Sequence, residues 1–154
     1  MTFFFETEEP ITKKQINNLE KRLNFNFPKN YTEHLLKYNG GRCEPNIFNF
    51  NEGGNQTKSS IDWFLALHDG EYDNLEEYFK IYKVEEKRLP DSFFPIAHDD
   101  GGNLICMDNT TDKIYFWDHN IEVNYNLHSD LERSNLYFLA DNLSQFLENL
   151  SEDL

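Results

Sequence analysis

Apolar spacing along this chain predicts an α+β domain, with N-terminal, middle and C-terminal helices flanking a central, mainly antiparallel sheet. Helical spacing governs the first forty residues, a period of two governs the segments between about 94 and 127, and helical spacing returns after residue 141. Strands therefore follow one another instead of alternating with helices, which argues against a doubly wound sheet. A length of 154 residues suits one domain, 1–154, with a real core, and 14 Phe and 8 Tyr make that core aromatic.

The first helix is signalled by Thr12 and Gln15, a capping box, followed by Ile16, Leu19 and Leu23 on one stripe. "NFNFPKNY" interrupts it. Pro28 then suits the first turn of a second helix carrying Tyr31, Leu35, Leu36 and Tyr38, and Gly40 and Gly41 offer a left-handed stop. Residues 42–50 read as a strand that Pro45 pushes to an edge or a bulge. "NEGGNQTKSS" reads as an open loop, and "IDWFLAL", 61–67, as another strand. Asp73 with Glu76 predicts a capped helix to about Tyr82, its apolar face made by Leu75, Tyr78, Phe79 and Tyr82. After a surface connection, a strand at 94–97 leads into a meander of 103–108, 113–118 and 121–127. In its first strand, Leu104 and Cys106 face one way and Ile105 and Met107 the other, so both faces are covered. Alternation in "IEVNYNL" predicts one wet face. A last helix from near Asp141 carries Leu143, Phe146, Leu147 and Leu150.

Charge is unevenly placed. The net charge is −14, from 14 basic and 28 acidic residues. Residues 1–41 hold six of the basic and five of the acidic ones, which leaves eight and 23 for 42–154, a balance of −15. Such a field repels nucleic acid and anionic membranes and steers a basic protein inward. Cys43 and Cys106 form no CxxC pair and read as buried free thiols of a cytoplasmic protein. The opening "MTFFFETEEP" lacks a basic n-region, and no apolar run approaches 18 residues, so neither a signal peptide nor a membrane span is expected.

Chemistry-bearing motifs are sparse. "HDDGGN" (98–103) has the Asp-Gly signature of a hairpin turn. A phosphate cradle is disfavoured there because no helix follows and two carboxylates would repel the phosphate. A calcium loop would need spaced carboxylates and an anchoring Glu. Three His–Asp neighbours occur, at 68–69, 98–99 and 118–119, without HxH, HxxxH or HExxH spacing, so no metal and no cofactor are expected. There is no G-x-S-x-G elbow and no activated-cysteine context, and the reading is that the protein is not an enzyme. "LHDGEYDNLEEY" (67–78) interleaves acids with tyrosine, as a protein-binding surface does and as a solvated helix start also does. Trp117 beside Asp118 fits either core packing or the rim of a binding face.

Four segments in order resemble the SUKH superfamily, bacterial immunity proteins related to a fungal cell-wall-synthesis regulator. They are "ITKKQINNLEKRLNFNFPKNYTEHLLKYNGG", "FFPIAHDDGGNLICMD", "KIYFWDHN" and "LADNLSQFLENL", covering roughly residues 10–150. Phe27-Pro28 stands where Leu-Pro is more usual, and the glycine pair of "HDDGGN" stands where members carry up to three. The resemblance implies an α+β fold and stoichiometric capture of a basic toxin protein, a nuclease domain above all, in the cytoplasm. On that reading the toxin-binding residues are Asp69, Glu71, Tyr72, Asp99, Asp100, Trp117 and Asp118, with Gly101 and Gly102 shaping the loop. The fungal branch implies an alternative, a regulatory adaptor or peptide-binding module without a toxin. A homodimer through an exposed sheet edge is compatible with either.

Overall fold

The computed structural model describes residues 1–123 and 135–152. Helix α1 (Lys13–Leu23) starts at a complete capping box: the Gln15 N–H donates to Thr12 Oγ1 (3.2 Å) and the Thr12 N–H donates to Gln15 Oε1 (2.8 Å). Its buried stripe is Ile16 and Leu19. Asn24 ends it with φ 50°, the left-handed conformation that asparagine tolerates better than most side chains. Pro28 sits at the N-cap of α2 (Lys29–Lys37), which buries Tyr31 and Leu35. This helix stops at an extended Tyr38, so the glycine C-cap expected at Gly40 and Gly41 is absent. The two glycines serve close packing instead. A Cβ on Gly40 (φ +73°) would lie 2.5 Å from Ala66 Cβ, and one on Gly41 (φ +97°) would lie 2.6 Å from the Phe5 carbonyl.

Strand β1 (Phe3–Phe5) pairs with β2 (Arg42–Glu44), and β3 (Ile47–Glu52) pairs with β4 (Asn55–Ser60), all antiparallel. The last pair corrects the expected open loop over 51–60. Gly53 (φ 60°) and Gly54 (φ 88°) form a two-residue hairpin turn, and the polar β4 is fixed by its backbone ladder to β3, which no apolar pattern announces.

The main sheet runs β5 (Trp63–Phe64), β6 (Phe93–His98), β7 (Leu104–Asp108), β8 (Ile114–Trp117) and β9 (Leu136–Ala140), each antiparallel to its neighbour. Only Trp63 and Phe64 of the expected strand 61–67 join it. The strand expected at 121–127 falls partly outside the described residues: 121–123 are irregular and 124–127 lie outside. Asp118 turns the chain away, its Oδ1 accepting from the Asn120 N–H (2.9 Å), and β9 takes the vacant edge of β8.

Both faces of β7 are covered, as its apolar run implies. Ile105 and Met107 join Ile16, Leu19, Phe27, Tyr31, Phe94 and Phe116 in the larger core, where the Phe27 and Phe94 rings meet at a tilt of 56° with centroids 5.0 Å apart. Leu104 and Cys106 join Phe93 and Trp117 beneath Leu89, Tyr78 and Tyr82. Helix α3 (Leu75–Phe79), continued by π-helical turns over Lys80–Glu85, supplies the two tyrosines. Its cap is Asn74, accepting from the Glu77 N–H (3.1 Å), one residue later than the expected Asp73. Helix α4 (Leu143–Glu148) is capped by Asn142 and buries Leu143 and Phe146.

Candidate protein-binding site

The two acidic segments singled out by sequence are built in opposite ways. In "HDDGGN", Asp99 is only 4% exposed. Its carboxylate accepts from the Gly101 N–H (2.9 Å), the Asn103 N–H (2.8 Å), Asn103 Nδ2 (2.9 Å) and Ser59 Oγ (3.1 Å). The expected pair of projecting acids is therefore one acid: Asp100 is exposed, while Asp99 faces inward and ties the turn to β4. Gly102 (φ +89°) packs against His119, and Asn103 extends the ties by accepting from the His119 N–H (3.1 Å). Trp117, also expected at a binding rim, is buried at 1% exposure. Its ring meets the Tyr82 edge at 5.6 Å and the Arg88 guanidinium at 4.8 Å, so it belongs to the smaller core. Asp118 is half-buried and holds the turn that follows β8.

In the 67–73 loop, Asp69, Glu71 and Tyr72 are exposed, Tyr72 by 78%. What keeps the loop in one shape is a set of buried amides. Asn39 is 3% exposed; its Nδ2 donates to the carbonyls of Glu9 (2.8 Å) and Leu67 (3.0 Å), and its Oδ1 accepts from the Leu67 N–H (2.9 Å). Asn74 Nδ2 donates to the carbonyls of His68 (2.8 Å) and Gly70 (3.0 Å). One asparagine thus fastens the acidic N-terminal arm, Glu6–Glu9, beside the acidic loop. His68 completes the clamp. Its Nδ1 faces the Gly70 N–H (3.1 Å) and its Nε2 faces the Tyr72 carbonyl (2.9 Å). Glu8 Oε1 lies 3.7 Å from the same Nδ1.

Between arm and loop lies a groove of about 650 Å³, lined by Gly41, Phe64 and Ala66 at its floor, by Trp63 and Tyr72, and by the carboxylates of Glu6, Glu8, Asp62, Glu71 and Asp73. His98 closes one end. Its Nε2 meets Asp73 Oδ1 at 2.5 Å, its Nδ1 faces the Asp99 carbonyl at 2.8 Å, and Tyr78 stacks on it at 5.6 Å. Burial, with nearby Tyr82, Asp73 and Asp62, pushes the Tyr78 hydroxyl up to about 12. No Lys or Arg lines the groove, and among the described residues none pairs with Glu6, Glu8 or Glu71. Asp69 lines the adjoining groove with Glu8, Glu9, Arg22 and Glu76. There the Arg22 guanidinium, bonded to Glu76 at 2.9 Å, holds that carboxyl below the usual range. Of the expected residues the structure places Glu71 and Tyr72 in one groove and Asp69 beside it, whereas Asp99, Asp100, Trp117 and Asp118 line neither. Sequence reading missed Glu6, Glu8, Asp62, Trp63, Asp73 and His98. The acid–aromatic pair Asp62-Trp63 was the available signal.

Among the described residues no group of three His, Cys, Asp or Glu is disposed to hold a metal ion, and no helix is long and apolar enough to cross a membrane. Burial raises both thiols, Cys43 to about 12, against the ionised form that a reactive cysteine needs. What the geometry offers is a rigid, acidic, aromatic-lined surface, suited to binding.

An α+β domain with this surface and the four matched segments has a defined place among known proteins. The SMI1/KNR4 family (SUKH-1) matches over residues 10–149, and the chain belongs to that family, which includes immunity proteins and is not known as enzymatic. It is similar to the SPbeta prophage-derived uncharacterized protein YokK of Bacillus subtilis (strain 168), 25% identical over 162 residues that cover 92% of this chain and 76% of that one.

Proposed function

We propose that this protein is an immunity protein that neutralises a cognate toxin, a basic nuclease, by stoichiometric binding in the cytoplasm. The observation that carries the reading is the groove between the N-terminal arm and the 67–73 loop, with three carboxylates that meet no Lys or Arg among the described residues and an exposed Tyr72 on a scaffold pinned by Asn39, Asn74 and His68. A nuclease must gather positive charge to hold its substrate's phosphates. Carboxylates fixed at a rim stand in for those phosphates at no ordering cost, and the aromatics add contact area. Asp69, Glu71 and Tyr72 make the primary contacts, and Asp100 and Asp118 extend the charge. Asp99 and Trp117 act from within, one shaping its loop and the other filling the core. Inhibition then needs no bond made or broken, only occlusion of the path to the toxin's active site.

The test is co-expression with the basic protein encoded beside this gene, followed by co-purification. Rescue of growth, a 1:1 complex and loss of both on combining Asp69→Asn with Glu71→Gln are expected. Growth rescue without a complex would overturn the binding mechanism, and a complex without rescue would favour a regulatory adaptor.

A further inference from the structure

Resting on that reading, we propose that the groove is an arginine-selective subsite, and that Arg42 of this chain, outside the groove's own lining but packed on two of its wall residues, is a weakly held stand-in for the partner's arginine. Arg42 lies 5.3 Å from the centroid of the Trp63 ring, guanidinium over the indole, and its Nη2 reaches Asp62 Oδ1 at 3.4 Å. A guanidinium seated on Trp63 and bonded to a carboxylate at the groove's edge shows which cation these walls accept. The contact is loose: the Arg42 side chain is 44% exposed and its ion-pair distance is long for a charge-assisted bond. Around the same groove, exposed Glu6, Glu8 and Glu71 come from different parts of the chain and pair with no Lys or Arg among the described residues.

Geometry decides for arginine over lysine. The floor of Phe64, Ala66 and Gly41 is apolar and suits a methylene stem. Trp63 and Tyr72 offer flat ring faces, on which a planar, weakly hydrated guanidinium stacks and a compact, strongly hydrated ammonium does not. The carboxylates are spread around the groove, so a five-donor fork satisfies several at once where a point charge satisfies fewer. The occupant is therefore an arginine presented by a partner polypeptide, entering from solvent between Tyr72 and Glu6 while Arg42 swings away.

The experiment titrates the full chain, without any toxin, with amidated tetra-arginine and tetra-lysine peptides of equal charge, reading the indole N–H signals of Trp63 and of buried Trp117 by NMR. Tetra-arginine should bind about five-fold tighter and shift Trp63 but not Trp117. Arg42→Ala should tighten tetra-arginine binding several-fold by vacating the ring, and Glu6→Gln with Glu71→Gln, both exposed and safe for the fold, should weaken it. Equal affinity for the two peptides, an unmoved Trp63 signal, or no binding at all would overturn arginine selectivity while leaving the immunity reading to its own rescue test. Tighter tetra-arginine binding that ignores all these substitutions would place the cation elsewhere on the acidic surface and overturn the assignment equally.

Discussion

The 67–73 loop and the 98–103 loop have similar compositions and opposite constructions. Each offers a histidine, aspartates and glycine between apolar elements. In the first, buried asparagines and His68 satisfy the backbone, and the carboxylates of Asp69 and Glu71 are left to face water. In the second, Asp99 is itself the hub, and four donors consume its carboxylate. An acidic residue displays charge only where something else supplies the acceptors that the turn requires. Composition reports how many acids a loop has, and the hydrogen-bond ledger decides which of them a partner can meet.

Breaking that contrast is most direct at Asp99. Replacing it by alanine leaves buried donors unpaired, and Asp99→Ala should cost about 3 kcal/mol or more in urea denaturation. A stable Asp99→Ala variant that had lost its partner would reverse the roles assigned to the two loops. Next comes Asn39→Ala, which unfastens arm from loop. A loss of about 2 kcal/mol is expected, with faster amide exchange confined to residues 6–9 and 67–73. Uniform loosening across the sheet would instead make Asn39 a core residue with no special bearing on the site.

A third expectation concerns pH. Burial, with Lys37 nearby, pulls His34 down to about 4 from its ordinary 6.5, where it packs against the stacked rings of Phe4 and Tyr38. Between those values the unfolded chain holds a proton at His34 that the folded chain refuses, so stability is full above about 6.5 and falls as pH drops. The slope should be about 1 kcal/mol per pH unit down to about 4. His34 Nε2 is buried with no hydrogen-bond partner among the described residues, so His34→Phe should flatten that slope; an unchanged slope would move the effect to other groups. The smallest stability effect sharpens the comparison from the other side. Glu71→Gln should change stability by less than about 0.5 kcal/mol, while slowing association with a basic partner and reducing its salt dependence.

Much of the scaffold is legible locally. Thr12 and Gln15 announce α1 because a capping box closes within four residues, and the run from Leu104 to Met107 announces a strand covered on both faces. Elements whose pairing partner is remote are less legible. Strand β4 carries no apolar signal and exists through its ladder to β3, and β9 takes the place that the better alternation of 121–127 seemed to claim. The site was half legible. Glu71 and Tyr72 stood out as an acidic, tyrosine-bearing loop, but the carboxylates opposite them come from Glu6, Glu8 and Asp62, far along the chain.

By itself the sequence determined the α+β class, the first helices, the covered central strands, the surplus of negative charge and the four segments that place the chain in its family. Periodicity, capping and composition are local or additive properties and survive without coordinates. Tertiary structure alone decided which acids face solvent. It turned Asp99 and Trp117 inward, and it used Asn39 to bring the N-terminal arm against the 67–73 loop. The physical reason is that a carboxylate's availability depends on which donors the fold sets within about 3 Å of it, and those donors lie on elements that sequence does not place side by side.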